Sequence, residues 1–214
     1  MIPATIQDVL AASPIMAVVV IEEAKDAPAL ARALLAGGVR SIEITLRTPA
    51  ALEAIRRIAS EVPDMLLGAG TVRTPRDLEA SAQAGARFAV SPGATAALLE
   101  AGRHSPIPYL PAIATASDIL EGLAMGYDAF KAFPASVIGG PAALKAFHGP
   151  FAEVTFCPTG GISAATAKDY LALPNVACVG GSWLTPADRM KAQDWAGIEK
   201  LAADSLAMLG RKGR

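Results

Sequence analysis

Residues 65–91, which read MLLGAGTVRTPRDLEASAQAGARFAVS, decide the fold. They predict a strand, a helix and a second strand, because two short apolar runs, Met65 to Ala69 and Arg87 to Ser91, flank an Ala-rich amphipathic segment. The threonine hydroxyl and the proline at Thr74-Pro75 are typical of a helix N-terminus, and Gly85 is typical of a helix end. Since both strands are apolar throughout, we expect a parallel sheet that is covered on both faces.

The same unit recurs along the chain. Eight strands are predicted, at Ile15 to Ile21, Ser41 to Leu46, Met65 to Ala69, Arg87 to Ser91, Ile107 to Pro111, Asp128 to Phe133, Val154 to Cys157 and Val176 to Val179. Helices are predicted between them, at Ala27 to Ala36, Pro49 to Glu61, Pro75 to Ala84, Thr95 to Ala101, Ser117 to Met125, Pro141 to Phe147 and Ser163 to Ala172. A short opening helix is predicted at Thr5 to Ala12, and glycines that terminate helices at Gly37-Gly38, Gly85 and Gly126.

This spacing predicts the fold class. About 25 to 30 residues per unit is what a compact (β/α)8 barrel requires. We therefore expect an α/β protein, a single closed (β/α)8 TIM barrel over residues 1–214 with a short N-terminal helix. The alternative, a doubly wound open sheet, usually carries its phosphate-binding glycines after the first strand. Here Glu22-Glu23 follows that strand, and the glycine pairs come late.

Composition excludes several functions. The chain has 214 residues, 52% of them hydrophobic, and a formal net charge of -1, so no long-range field attracts nucleic acid. The apolar run Pro14 to Ile21 is too short to span a bilayer, and we expect a cytoplasmic protein with no membrane partner. Cys157 and Cys178 form no Cys-x-x-Cys motif, and His104 and His148 are far apart, so neither a disulfide scaffold nor a zinc site is expected.

Charged residues occur in the predicted second strand. A period of two places Glu43, Thr45 and Arg47 on one face. The outer face of a barrel strand packs against helices, so this face is expected to point inward, where an unpaired charge is costly. One interpretation is an internal Glu43–Arg47 ion pair that stabilises the barrel. The other is a functional site, which the position near the carboxyl end of a strand favours.

Lys131 lies in the middle of an apolar strand between Phe130, Ala132 and Phe133. Burial disfavours a charged ammonium, and a neutral amine is a nucleophile that attacks carbonyl groups. The alternative is a lysine with a buried stem whose charged end reaches solvent. The position inside an apolar strand favours a functional lysine.

Glycine-rich segments follow the last two predicted strands, CPTGGIS at 157–163 and GGSW at 180–183. Backbone N–H groups of glycines, hydroxyl groups and a following helix start bind phosphate, and barrels often hold phosphate at these two loops. Each segment alone is also consistent with an ordinary turn. Together with the small residues after the third and fourth strands and the buried lysine, they predict a site for a phosphorylated keto acid. The ketone of this substrate would form an imine with the lysine. That reaction needs no metal or other cofactor.

Six segments resemble the 2-keto-3-deoxy-6-phosphogluconate (KDPG) aldolases, a KDPG/KHG class I aldolase family: EITLRT at 43–48, GAGTV at 68–72, SPG at 91–93, FKAFPA at 130–135, FCPTGGI at 156–162 and VGGSWL at 179–184. The resemblance covers nearly the whole chain. It implies a lyase of the Entner–Doudoroff pathway, a homotrimer that cleaves its substrate to pyruvate and glyceraldehyde 3-phosphate. It also implies that Lys131 is the Schiff-base lysine and Glu43 the general acid/base.

The resemblance assigns the other site residues to the substrate. They are Arg47 and Thr71 at the pyruvyl carboxylate, Pro92 and Phe133 beside the imine, and Thr159, Gly160, Gly161, Gly181 and Ser182 at the phosphate. The chain departs from the family pattern at Ala112 and Ala114, where the family often has glycine and serine, and at Ser136, where many members have glutamate. These departures concern the sugar side of the substrate.

Other functions are consistent with the same residues. Within the aldolases, the substrate could be the galactonate epimer or 4-hydroxy-2-oxoglutarate, and the latter has no phosphate for the glycine loops. A phosphosugar isomerase or epimerase would use the phosphate loops without an amine. A non-catalytic or engineered oligomeric scaffold would use neither, which the cost of an unused buried lysine argues against.

Overall fold

The computed structural model describes residues 5–210, in which short strands alternate with helices. The strands are β1 Ile15–Val19, β2 Ser41–Thr45, β3 Leu66–Gly70, β4 Phe88–Val90, β5 Tyr109–Leu110, β6 Ala112–Ile113, β7 Ala129–Ala132, β8 Thr155–Pro158 and β9 Val179–Gly181. The helices are α1 Ile6–Ala11, α2 Ala27–Ala36, α3 Ala51–Glu61, α4 Pro75–Gln83, α5 Ala96–Arg103, α6 Ala116–Ala124, α7 Gly140–His148, α8 Ala167–Leu171, α9 Ala187–Ala192 and α10 Trp195–Met208, and a 3-10 turn spans Ala24–Asp26. The sequence pattern did not predict α9 and α10.

The expectation of a closed eight-stranded barrel is wrong. The strands form two parallel sheets, one of six strands in the order β5-β4-β3-β2-β1-β9 and one of three in the order β6-β7-β8. The fifth strand is predicted at Ile107 to Pro111 but ends at Leu110, before Pro111, which has no N–H. A separate strand begins at Ala112, whose N–H donates to the Ser91 hydroxyl at 3.3 Å instead of to a strand. The strands on either side of Pro111, β5 and β6, lie in different sheets.

The opposite junction between the sheets is also discontinuous. The last strand begins at Val179 rather than at Val176. Its β pairing with β8 and the residue that follows β8 consists of two isolated bridges, Phe156–Val176 and Thr159–Gly180. Two glycines in a strand of three residues weaken its pairing. The two sheets are thus linked at this side by single bridges.

The parallel register brings the functional loops together. Glu43 lies beside Gly68 and Val18, and Lys131 lies beside Ala112 and Cys157. Because all paired strands are parallel, the loops that follow them meet at the carboxyl edge of each sheet. At the other end, Val9 and Leu10 of α1 pack in a buried cluster with side chains from both sheets.

Local capping signals position several helices. Thr74 caps α4 and forms a capping box with Asp77, as its position before Pro75 predicts. Thr48 precedes Pro49 in the same way, and the same pattern predicts that it caps a helix. This prediction is wrong, because the Thr48 hydroxyl donates to the Ile21 carbonyl at 2.6 Å and α3 begins later, at Ala51. The glycines predicted to end helices adopt positive φ at Gly38, Gly85 and Gly126. No helix within residues 5–210 is long and apolar enough to cross a membrane.

Candidate active site

The centre of the candidate site is a buried ion pair between the two sheets. Lys131 Nζ of β7 donates to Glu43 Oε1 of β2 at 3.0 Å. The two side chains are only 6% and 2% exposed. Taking two charges out of water is costly, and the pair is retained because each group neutralises the other. This arrangement holds an amine next to a carboxylate that accepts or supplies protons.

Arg47 does not pair with Glu43, so the interpretation of an internal Glu43–Arg47 ion pair is wrong. Arg47 lies in the turn after β2 and is exposed. The strand ends at Thr45, so the side chains beyond it no longer alternate between the two faces of the sheet. Thr45 is buried as expected, and its hydroxyl donates to the Val19 carbonyl at 2.8 Å. An exposed guanidinium at the carboxyl edge is accessible to an anionic ligand.

An aromatic side chain lies beside the amine. The ring centroid of Phe133 is 5.3 Å from Lys131 Nζ, within the range of a cation–π contact. Phe133 and Pro92 are half-buried and follow the carboxyl ends of β7 and β4. The Phe133 ring therefore shields part of the amine from water.

The two glycine loops contact each other. Thr159 and Gly180 form a bridge, and the Thr159 hydroxyl lies so close to the α-carbon of Gly180 that a side chain at 180 would overlap it. Gly160 and Gly161 adopt φ of 98° and 72°, a region that favours glycine. Ser182 is exposed after β9. The structure therefore brings the two glycine-rich segments and the hydroxyl-bearing residues Thr159 and Ser182 to one edge. Backbone N–H and hydroxyl groups are the donors that phosphate sites use.

Gly181 and Thr71 complete the set of predicted site residues. Gly181 is buried, and a side chain there would meet Trp183 and Ile15. Thr71 directly follows β3 and is half-buried, with a φ of 56° that β-branched residues rarely adopt. Such strained backbone concentrates at functional sites.

Ser136 is close to the glycine loops, and its amide donates to the Gly160 carbonyl at 3.1 Å. A side chain at Gly161 would overlap the Ser136 hydroxyl. The sequence identifies Ser136 only as a departure from the family pattern. The 25 positions that separate it from Gly161 give no sign that the two residues are in contact.

Buried hydroxyls form a second polar group near β4 and β5. The Ser91 hydroxyl lies 2.7 Å from the Tyr109 hydroxyl. Burial raises the pKa of Tyr109 above its ordinary value, and burial raises the pKa of Tyr127 to about 12. Both hydroxyls are therefore neutral and able to donate hydrogen bonds. Across residues 5–210, no three His, Cys, Asp or Glu side chains are grouped to hold a metal ion.

The chain is similar to known aldolases over almost all of its length. A family model described as KDPG and KHG aldolase matches residues 6–201. A 2-dehydro-3-deoxy-phosphogluconate aldolase from Pseudoalteromonas atlantica is 50% identical, over 94% of this chain and 94% of the relative.

Two solved structures are similar in fold and sequence. A KDPG aldolase from Legionella pneumophila, solved with pyruvate captured at low pH as a covalent carbinolamine intermediate, has a TM-score of 0.91 at 50% identity and covers 93% of this chain and 97% of its own. The 2-keto-3-deoxy-6-phosphogluconate aldolase of Zymomonas mobilis, solved with 3-phosphoglycerate, has a TM-score of 0.90 at 46% identity and covers 95% of each chain.

Proposed function

The chain belongs to the KDPG and KHG aldolase family, and we propose that it is a class I aldolase that cleaves 2-keto-3-deoxy-6-phosphogluconate to pyruvate and glyceraldehyde 3-phosphate. The observation that carries the mechanism is the buried pair of Lys131 and Glu43, 3.0 Å apart. A lysine amine held beside a proton-transferring carboxylate has the two groups that imine chemistry needs. In the related Legionella enzyme, pyruvate was captured as a covalent carbinolamine.

The reaction begins with Lys131. Its neutral Nζ adds to the C2 ketone of the substrate and forms a carbinolamine, which loses water to give a protonated imine. Removal of the proton from the C4 hydroxyl then breaks the C3–C4 bond and releases glyceraldehyde 3-phosphate. The electron pair of that bond passes to the imine nitrogen and forms an enamine. Protonation at C3 and hydrolysis of the imine release pyruvate and restore the amine.

Glu43 is proposed as the general acid/base. Its Oε1 is within hydrogen-bond distance of Lys131 Nζ, so it is able to accept the proton that the ammonium must lose before attack. The same carboxyl group then protonates the departing hydroxyl of the carbinolamine and takes the proton of the C4 hydroxyl, the latter through a water molecule. Transfer of the ammonium proton to Glu43 neutralises both members of the ion pair and leaves a carboxylic acid that is able to make these transfers.

The other predicted residues are proposed to bind the two ends of the substrate. Exposed Arg47 and half-buried Thr71 would hold the pyruvyl carboxylate, and Pro92 and Phe133 would flank the imine. The phosphate would lie at the glycine loops, against Thr159, Gly160, Gly161, Gly181 and Ser182. The contact between those loops and the positive φ of two of their glycines support this assignment. The family resemblance further implies a homotrimer, which sedimentation equilibrium tests.

The relatives do not favour the other functions considered from the sequence. The Pseudoalteromonas relative and the Legionella and Zymomonas structures are named for the phosphorylated gluconate substrate. The family description also names KHG, which is 4-hydroxy-2-oxoglutarate, but that keto acid lacks the phosphate that the two glycine loops would bind.

The test is pyruvate release, followed with lactate dehydrogenase, from three substrates: 2-keto-3-deoxy-6-phosphogluconate, its galactonate epimer and 4-hydroxy-2-oxoglutarate. We expect the highest kcat/KM for the first. Release from none of them, by protein with a native circular dichroism spectrum, would contradict the proposal. A preference for the unphosphorylated keto acid would contradict the proposed substrate and the phosphate site, but not the imine chemistry.

A further inference from the structure

Gly70, the last residue of β3, lies against the side chain of Glu43. A methyl group built on Gly70 would be 2.5 Å from Glu43 Oε1 and 2.8 Å from both Cγ and Cδ of that residue. The oxygen that it would meet is the same Oε1 that accepts from Lys131 Nζ at 3.0 Å. The Lys131 amine and the bare α-carbon of Gly70 therefore both lie close to the same carboxylate of Glu43.

These distances are incompatible with any side chain at position 70 while Glu43 keeps its conformation. Non-bonded heavy atoms attract at about 3.5 to 4.0 Å and repel steeply at shorter separation. Glu43 is 1% exposed, so its surroundings leave it few other rotamers. A methyl group at position 70 would therefore displace the Glu43 carboxylate from its present position beside Nζ.

The constraint at Gly70 is steric and not conformational. The glycines of positive φ in this structure do not include Gly70, so an alanine would need no change of backbone region. An alanine at position 70 should therefore act only through the steric overlap of its methyl group with the Glu43 side chain.

We infer that Gly70 is a positioning residue for the imine chemistry: the absence of a side chain at this position provides the space in which the Glu43 carboxylate meets the Lys131 amine. This inference rests on the proposed function of that pair. Gly70 itself donates and accepts no proton, and it acts through Glu43.

The test is a double-mutant cycle of Gly70→Ala with Glu43→Gln, with kcat and KM measured by pyruvate release. Gly70→Ala should lower kcat at least about tenfold, because general acid–base catalysis typically contributes 10²- to 10⁴-fold, and should change KM by less than about twofold. In the Glu43→Gln background the same alanine should change kcat less than about twofold, since the carboxylate is already absent. An equal loss in both backgrounds, or no loss in either, would overturn the inference.

Gly37→Ala is the matched control for stability. A methyl group there would be 2.5 Å from the Glu199 carbonyl oxygen, an equal overlap at the contact between α2 and α10 and away from the site. It should lower the melting temperature and leave kcat per folded molecule unchanged. A loss of kcat in this variant equal to that of Gly70→Ala would show that general destabilisation is sufficient, and would overturn the positioning role.

Two further measurements test the inference if the unmutated protein is inactive or if Gly70→Ala does not fold. If the unmutated protein releases no pyruvate, the proposed function fails, and a crystal structure of Gly70→Ala still decides the inference: Oε1 and Nζ should separate beyond hydrogen-bond distance, and an unchanged distance overturns it. If Gly70→Ala does not fold, adding Glu43→Ala together with Lys131→Met removes the overlapping side chain and the charge that it neutralises, and should restore folding. Failure to restore it would overturn the inference.

Discussion

Glu43 Oε1 and Lys131 Nζ form a 3.0 Å ion pair between residues 88 positions apart in the sequence, in strands that belong to different sheets. The pair is almost completely buried. Each charge is stable there only because the other is present, so the two residues should contribute to stability as a unit.

Lys131→Met should therefore be more destabilising than the loss of both charges. Removing one partner of a buried pair costs about 3 to 5 kcal/mol, because it leaves the other charge uncompensated. Adding Glu43→Gln should restore at least about half of that loss. Urea unfolding followed by circular dichroism measures both variants, and Lys145→Met on the exposed face of α7 is the control. Equal stability of the single and double variants would contradict the account.

Ser182→Ala should weaken binding of the phosphorylated substrate selectively. A hydrogen bond to a charged group contributes about 1.5 to 3 kcal/mol, so KM for 2-keto-3-deoxy-6-phosphogluconate should rise about 10- to 100-fold. Turnover of 4-hydroxy-2-oxoglutarate, which has no phosphate, should change less than about twofold. Exposed Ser117 on α6 provides the control substitution Ser117→Ala. Equal losses with both substrates would place Ser182 away from the phosphate.

Thr71→Asn should stabilise the fold at the expense of activity. Thr71 has a φ of 56°, where asparagine is several-fold enriched and a β-branched residue is strained. Relief of that strain should raise the free energy of unfolding by about 1 kcal/mol. The same substitution replaces the hydroxyl with a longer amide. It should therefore also raise KM for the substrate, because Thr71 is proposed to bind the pyruvyl carboxylate. Urea unfolding and steady-state kinetics test both effects, and a loss of stability would contradict the strain argument.

The tyrosines should resist ionisation until the protein unfolds. Burial raises the pKa of all three, Tyr109, Tyr127 and Tyr170, and for Tyr127 the value is about 12. Because the folded-state pKa is above the unfolded value of about 10, the neutral hydroxyls contribute stability that is complete below pH 10 and is lost as the pH rises through the folded-state values. Tyrosinate absorbance should therefore stay low at pH 10 and rise together with the loss of circular dichroism. Ionisation near pH 10 in folded protein would contradict this prediction, and urea-unfolded protein is the control.

The alternation of polar and apolar residues predicted the burial of Glu43 and Lys131, but not their contact. Period two shows which face a side chain takes within a strand, whereas the pairing of Glu43 depends on how two sheets approach each other. Arg47 was a plausible partner only because it shares the face of Glu43 in the sequence, and the end of β2 at Thr45 removes it from that face.

The pattern of apolar residues also did not predict that the strands divide into two sheets. The sequence predicts a strand that ends at Pro111, whose missing N–H is visible in the sequence, but it does not predict the separate strand that begins at Ala112. The acceptor of the next N–H, the Ser91 hydroxyl, is far away in the chain and depends on tertiary structure. The role of Gly70 is equally invisible in the sequence, because the closeness of its α-carbon to the Glu43 side chain depends on the pairing of β2 with β3.

The most direct test of the central claim is to reduce the protein with borohydride in the presence of pyruvate and to locate the product by peptide mass spectrometry. The account predicts one carboxyethyl group per chain, attached to Lys131, and none after Lys131→Met. Absence of the product from active protein, or its attachment to a different lysine, would contradict the assignment of Lys131 as the Schiff-base residue.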